Sequence, residues 1–142
     1  MALLEIHIRS KENQEDKGRK GMFNEPVFDF EPQPLQRALY SGETGKVIIY
    51  AKFPSVQHYL GENCLFKKTL SAQVLVADLV AERCFYEIAK RKVASSGVTL
   101  RPEAIPDRIQ RDALGLSQKY GKKVHEALVD QNLLRESKNK IA

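Results

Sequence analysis

Asp78 and Glu82 are the residues of this sequence whose types and spacing come nearest to chemistry. Four apart on a helix they share one face, and neighbouring carboxylates can drive their proton affinities apart for acid–base or metal work. The same spacing also arises where a helix meets solvent, or where a Lys or Arg from a strand neutralises the pair. No nucleophile accompanies them. The chain lacks GxSxG, and neither Cys64 nor Cys84 stands with a histidine in a known catalytic arrangement. The expectation is no catalytic activity in this chain alone, with Asp78 and Glu82 kept as the candidate functional carboxylates.

Metal and phosphate chemistry fare no better. His7, His58, His125, Cys64 and Cys84 are scattered, without the compact spacing that preorganises a zinc site, so no metal and no cofactor is expected. Cys84 reads as a small core residue, and His7 as one of a strand's polar-face residues. Gly42-Glu43-Thr44-Gly45-Lys46 evokes a phosphate-binding loop, but Tyr40 stands where that motif needs glycine and Val47 where it needs Ser or Thr. A hairpin turn is the better reading. Arg108, Arg111, Lys119, Lys122 and Lys123 could contact an anion, with Tyr120 as a stacking surface. Asp107, Asp112, Glu126 and Asp130 dilute that field, and solvated helix faces are the better reading.

These side chains depend on elements that the sequence pattern announces. Within 4–9, Leu4, Ile6 and Ile8 alternate with Glu5, His7 and Arg9, a strand with one apolar face. A charge-dense loop follows over 10–21. A second extended stretch covers 22–30, where Pro26 lacks an amide donor and argues for an edge or a bulge. Pro32 and Pro34 mark a stiff connection. Runs over 35–40 and 46–53 then flank a Gly-containing turn, the signal of a hairpin. In its second arm Val47, Ile49, Ala51 and Phe53 share a face. Ile48 and Tyr50 make the other face apolar too, as in a central strand or one covered by a helix. Ser55 can cap a short helix that Gly61 ends.

The second half reads as helical. Residues 70–93, with Thr69 as N-cap, form the strongest helix, its first half apolar almost all round and therefore buried against the sheet. From Pro106, the residues Ile109, Ala113, Leu116, Tyr120, Val124 and Ala127 recur three and four apart as one stripe. Gly115 and Gly121 interrupt it, and a break near Gly121 is one reading. Part of the stripe, or Leu133-Leu134 after it, is a candidate interface, since an apolar patch without an internal partner marks a docking surface.

Composition bounds the answer. The chain has 142 residues, 42% hydrophobic and 29% charged, enough for one domain with a proper core. Eight Lys/Arg and eight Asp/Glu fall in 1–61, fifteen and ten in 62–142, so the net charge of +5 belongs to the helical half. That is a mild hint of an anionic partner. No apolar run approaches the ~20 residues of a membrane span. The start meets Glu5 too early for a signal peptide, and two cysteines make no secreted framework. A cytoplasmic setting is expected.

Several phrases in order carry a resemblance. They are Gly21-Met22-Phe23, Pro32-Gln33-Pro34 with Gln36-Arg37, and Phe53-Pro54-Ser55-Val56 running to Tyr59-Leu60-Gly61. Ser71-Ala72-Gln73-Val74-Leu75 continuing to Leu79-Val80-Ala81-Glu82 follows, then Gln118-Lys119-Tyr120 with Val124-His125-Glu126. The series resembles the C-terminal region of large bacterial proteins that begin with an ATPase domain of the histidine kinase, gyrase B and HSP90 class. The resemblance implies an excised accessory module, since the ATP-binding motifs of that class sit in the other domain; it carries over no functional residue.

The expected architecture is a single α+β domain over 1–142. A small antiparallel sheet of about four strands is packed by a long buried helix and a C-terminal helix or helix pair. The expected function is a non-catalytic interaction or regulatory module of an ATPase-containing bacterial protein, with other domains of that protein or a second copy as partner and no membrane. The alternative is a nucleic-acid-binding domain that uses the basic helical half.

Overall fold

In the hairpin, the Gly45 N–H reaches back to the Ser41 carbonyl at 2.8 Å, and Gly45 takes the positive φ (72°) that such a turn needs. The Ser41 and Thr44 hydroxyls accept from the amides of Thr44 and Lys46, closing the turn on itself. In the computed structural model, residues 25–97 and 99–141 are described. Their strands are β1 (Val27–Asp29), β2 (Ala38–Ser41) and β3 (Lys46–Tyr50), and their α-helices are α1 (Pro54–Leu60), α2 (Leu70–Ser95), α3 (Ile105–Leu128) and α4 (Gln131–Ile141). The class is α+β, as expected.

The sheet differs from the expectation in two ways. Among the described residues it has three strands, in the order β1-β3-β2, and it is mixed. β2 and β3 are antiparallel, with Leu39 opposite Ile48, but β1 runs parallel to β3, with Phe28 beside Ile49. A hairpin signal reveals which strands are consecutive and antiparallel. It does not reveal that the 30–37 connection carries the chain past the place β3 will fill. The strand expected over 4–9 and the loop over 10–21 lie outside the described residues. The arm expected over 35–40 starts late, at Ala38, and Leu35 is almost wholly exposed.

β3 is the central strand, and its two faces have different fates. Val47, Ile49 and Ala51 are buried, while Ile48 and Tyr50 are half-buried. α2 crosses the inner face at β2 and β3. The Thr69 side chain caps it by accepting from the Ala72 amide at 3.3 Å and donating to the Phe66 carbonyl at 2.8 Å. Ala72, Val76, Leu79, Val80, Cys84 and Phe85 reach into one core with Val47, Ile49, Val56, Leu60 and Val124.

α1 begins at Pro54 rather than behind a Ser55 cap; Phe53 holds the N-cap position, and its carbonyl accepts from the Val56 and Gln57 amides. Proline in the first turn loses nothing, since that N–H has no helical partner. Gly61 ends α1 at φ 78°, ψ 176°, a backbone region that essentially only glycine occupies. A Cβ there would also stand 2.5 Å from the Phe66 ring.

α3 runs unbroken through Gly115 and Gly121 to Leu128. Each glycine costs about 1 kcal/mol, which packing along α2, the most extensive contact between elements, offsets. The break comes instead at Val129, where the backbone turns extended. Asp130 then caps α4 by accepting from the amides of Asn132 (2.9 Å) and Leu133 (3.2 Å). The stripe on α3 completes the core: Ile109 and Val124 are buried, and Ala113, Leu116 and Tyr120 pack against the same cluster. Its last member differs. Ala127 is exposed and Leu128 turns inward in its place.

Candidate functional site

The two candidate carboxylates point to different partners. Asp78 Oδ1 lies 2.8 Å from His125 Nε2 on α3, while Glu82 Oε1 lies 3.4 Å from Arg37 Nη2, just before β2. Each therefore ties α2 to a different neighbour. The expected alternative, a cation arriving from the strand region, is what meets Glu82.

His125 is the residue that sequence spacing missed. It follows Val124, which is wholly buried, so it sits at the edge of the seam where α3 meets α2. Asp78 follows the buried Ala77 in the same way on α2. Each flanks a core position on its own helix, but 47 residues separate them and no local pattern links the two. A carboxylate against an imidazole can orient the ring for proton transfer. To use it, the ring needs a substrate cavity or a nucleophile at its other nitrogen. The groove bordered by Phe28 and Val76 and the cleft bordered by Val93 and Ile109 are both lined by other residues.

With side chains 33% and 65% exposed, the His125–Asp78 contact is a surface pair worth about 0–1 kcal/mol. A double-mutant cycle of Asp78→Asn and His125→Gln, followed by urea unfolding, should return a coupling below ~1 kcal/mol. Should any activity be found in the chain, Asp78→Asn and Glu82→Gln should leave it within about a few-fold. A loss of about a thousandfold at unchanged stability would instead place them in an active site.

The basic residues of α3 are largely engaged. Arg108 pairs with Asp112 at 3.3 Å, Lys122 with Glu126 at 3.9 Å, and the Lys119 ammonium lies 5.5 Å from the Tyr120 ring centroid. Arg111 and Lys123 are exposed. Tyr120 is half-buried against the core, which withdraws it as a stacking platform.

Neither cysteine is in a disulfide, and both are buried. Burial pushes the Cys84 thiol up to about 12, and it raises Cys64 as well. Among the described residues no group of three His, Cys, Asp or Glu could hold a metal. No helix among them is long and apolar enough to cross a membrane.

A second feature the sequence concealed is Gln73. Its Oε1 accepts from the Asp130 amide at 2.7 Å and its Nε2 donates to the Lys68 carbonyl at 3.1 Å. One side-chain amide thus stitches the turn before α2 to the turn between α3 and α4. Beside it opens a groove of about 530 Å³, with Phe28, Val76, Leu128 and Val129 among its lining and Glu25, Lys67, Lys68 and Asp130 as its charged groups.

The outer face of the sheet carries one apolar row, with Asp29 and Tyr50 on one side of it and Lys46 and Ser41 on the other. The register sets Val27, Ile48 and Leu39 in one row across all three strands, with Val27 44% and Leu39 38% exposed. Leu133 and Leu134, the other interface candidates, are half-buried on α4. Compared with protein-family models, curated proteins and solved structures, the chain has no match.

Proposed function

We propose that this chain is a non-catalytic interaction or regulatory module of a larger, ATPase-containing bacterial protein, and that it works by docking to another domain. What carries the reading is the row Val27–Ile48–Leu39 on the sheet's outer face, where Val27 and Leu39 are exposed and Ile48 is half-buried. Contiguous exposed apolar surface is one mark of a docking site. The engaged cations of α3 weigh against the nucleic-acid alternative.

Two measurements test the proposal. The coding sequence ahead of Met1 should specify an ATPase domain, and that domain, produced separately, should bind this chain with an affinity that Leu39→Lys lowers by about tenfold or more. No such domain, or no binding to it, would overturn the reading. DNA or RNA duplex should bind weakly at low salt and be lost near physiological salt, because counterion release drives such contacts. Sequence-selective binding that survives physiological salt would put the nucleic-acid function in its place.

A further inference from the structure

Among the described residues, the backbone of β1 has a free edge whose polar groups can be assigned one by one. Asp29 accepts from the Ala51 amide at 3.0 Å, so its carbonyl faces β3. In a parallel ladder one residue's N–H and C=O point the same way, and the next residue's point oppositely. Asp29 and Val27 therefore face β3, and Phe28 turns both groups outward. Across each trans peptide the N–H opposes the preceding carbonyl, and no cis bond is present. The Phe30 N–H and the Pro26 carbonyl therefore also point outward. Pro26 has no amide to leave unsatisfied.

The other edge differs. The Tyr50 amide bonds Arg37, so Ala38 and Tyr40 face outward from β2. Charged side chains stand along it: Arg37 pairs with Glu82, and the Arg91 guanidinium lies 5.7 Å from the Tyr40 ring. Charges beside an edge blunt strand addition. Beside β1 the exposed side chains are Val27 and Phe30, with the exposed Glu25 and Glu31 beyond either end of the strand.

We propose that β1 is a self-association edge, pairing antiparallel with β1 of a second copy about a two-fold axis at Phe28. This rests on the interaction role proposed above and adds a second copy of the chain as a partner, through a different surface. The edge is self-complementary in the way a two-fold interface requires. Phe28 exchanges its N–H and C=O with Phe28 of the other copy, and each Phe30 N–H meets the other Pro26 carbonyl.

The groove beside Gln73 gives the contact depth. It is lined by Pro26 and Phe28 but by nothing from β2 or β3, so it lies at the β1 side of the sheet. A two-fold axis normal to the sheet keeps both Phe28 rings on one face, where the second ring meets the groove's apolar lining. The same register sets Glu31 of the second copy opposite Glu25, on a rim that Lys67 and Lys68 share. Asp130 also lines the groove, but its carboxylate caps α4.

The test is sedimentation of the intact chain up to roughly 0.5 mM, with amide exchange read at Phe28 and Phe30. The expected result is a dimer whose formation protects both amides. Phe30→Pro deletes one outward donor and leaves the β1–β3 ladder alone, so it should weaken the dimer by about tenfold or more. Phe30→Ala, which keeps the N–H, should weaken it less. Val27→Lys gives a second disruption should the proline variant fold poorly. A monomer throughout, a dimer indifferent to Phe30→Pro and Val27→Lys, or a Phe28 amide protected in a monomer would each overturn the proposal. Leu39 lies on the far strand, so failure here leaves the Leu39→Lys result to judge the docking role separately.

Discussion

Phe85→Ala is expected to lower the free energy of unfolding by about 3–5 kcal/mol, and Leu79→Ala by about 2–5 kcal/mol. Both side chains are essentially without solvent contact on α2, at 1% and 2% exposure. They stand where the helix meets the β3 face and α3 at once, so neither void can collapse onto a mobile surface. The cost then includes the cavity as well as the lost transfer energy. Two neighbours on the same helix serve as controls. Tyr86 is exposed, with the Arg83 guanidinium 5.3 Å from its ring centroid, and Tyr86→Ala should cost under about 1 kcal/mol. Leu75, half-buried, should fall between. Urea unfolding at constant m measures all four. Losses below about half a kcal/mol at both Phe85 and Leu79 would remove α2 from the centre of the fold.

Features written in one stretch of chain were legible. Thr69 announces α2 because its hydroxyl has only to reach an amide three residues away. Val47, Ile49 and Ala51 announce the inner face of β3 because alternation is local. The Ile109–Val124 stripe announces how α3 packs. What stayed hidden joins residues far apart in sequence. Parallel placement of β1 depends on where a connection crosses. His125 meets Asp78, Arg37 meets Glu82 and Gln73 meets Asp130 only because α2 lies against α3 on one side and near β2 on the other. The candidate site was half legible for the same reason. Helical spacing placed Asp78 and Glu82 on one face, but did not show that Asp78 would meet His125 and Glu82 would meet Arg37. Gly121 misled because glycine's helix penalty is local and small, while the packing that overrides it is not.

The largest contrast should appear at Cys84. Alkylating reagents attack the thiolate, and burial, reinforced by the nearby Glu87 carboxylate, pushes this thiol up to about 12. At pH 8 its thiolate fraction is about 10⁻⁴, against about a tenth for a thiol near its ordinary value. Iodoacetamide should therefore label Cys84 about 10- to 100-fold more slowly in the native chain than in urea, since the scarcer thiolate is also the more nucleophilic one, before any steric shielding is counted. Cys64 is an internal comparison: burial raises it too, but Lys67 pulls the other way, so its native rate should exceed that of Cys84. Stability should follow the same asymmetry. The unfolded chain gives up the Cys84 proton first, so the contribution of the neutral thiol is complete below the ordinary value of 9.0. It is lost as pH rises from there through about 12. Burial raises Tyr40 and Tyr50 as well, so Cys84→Ala should make the alkaline decline shallower without abolishing it. Mass spectrometry of the labelled peptides reads the rates. Equal labelling of Cys84 in native and unfolded chain would place it outside the core that α2, β3 and α3 enclose.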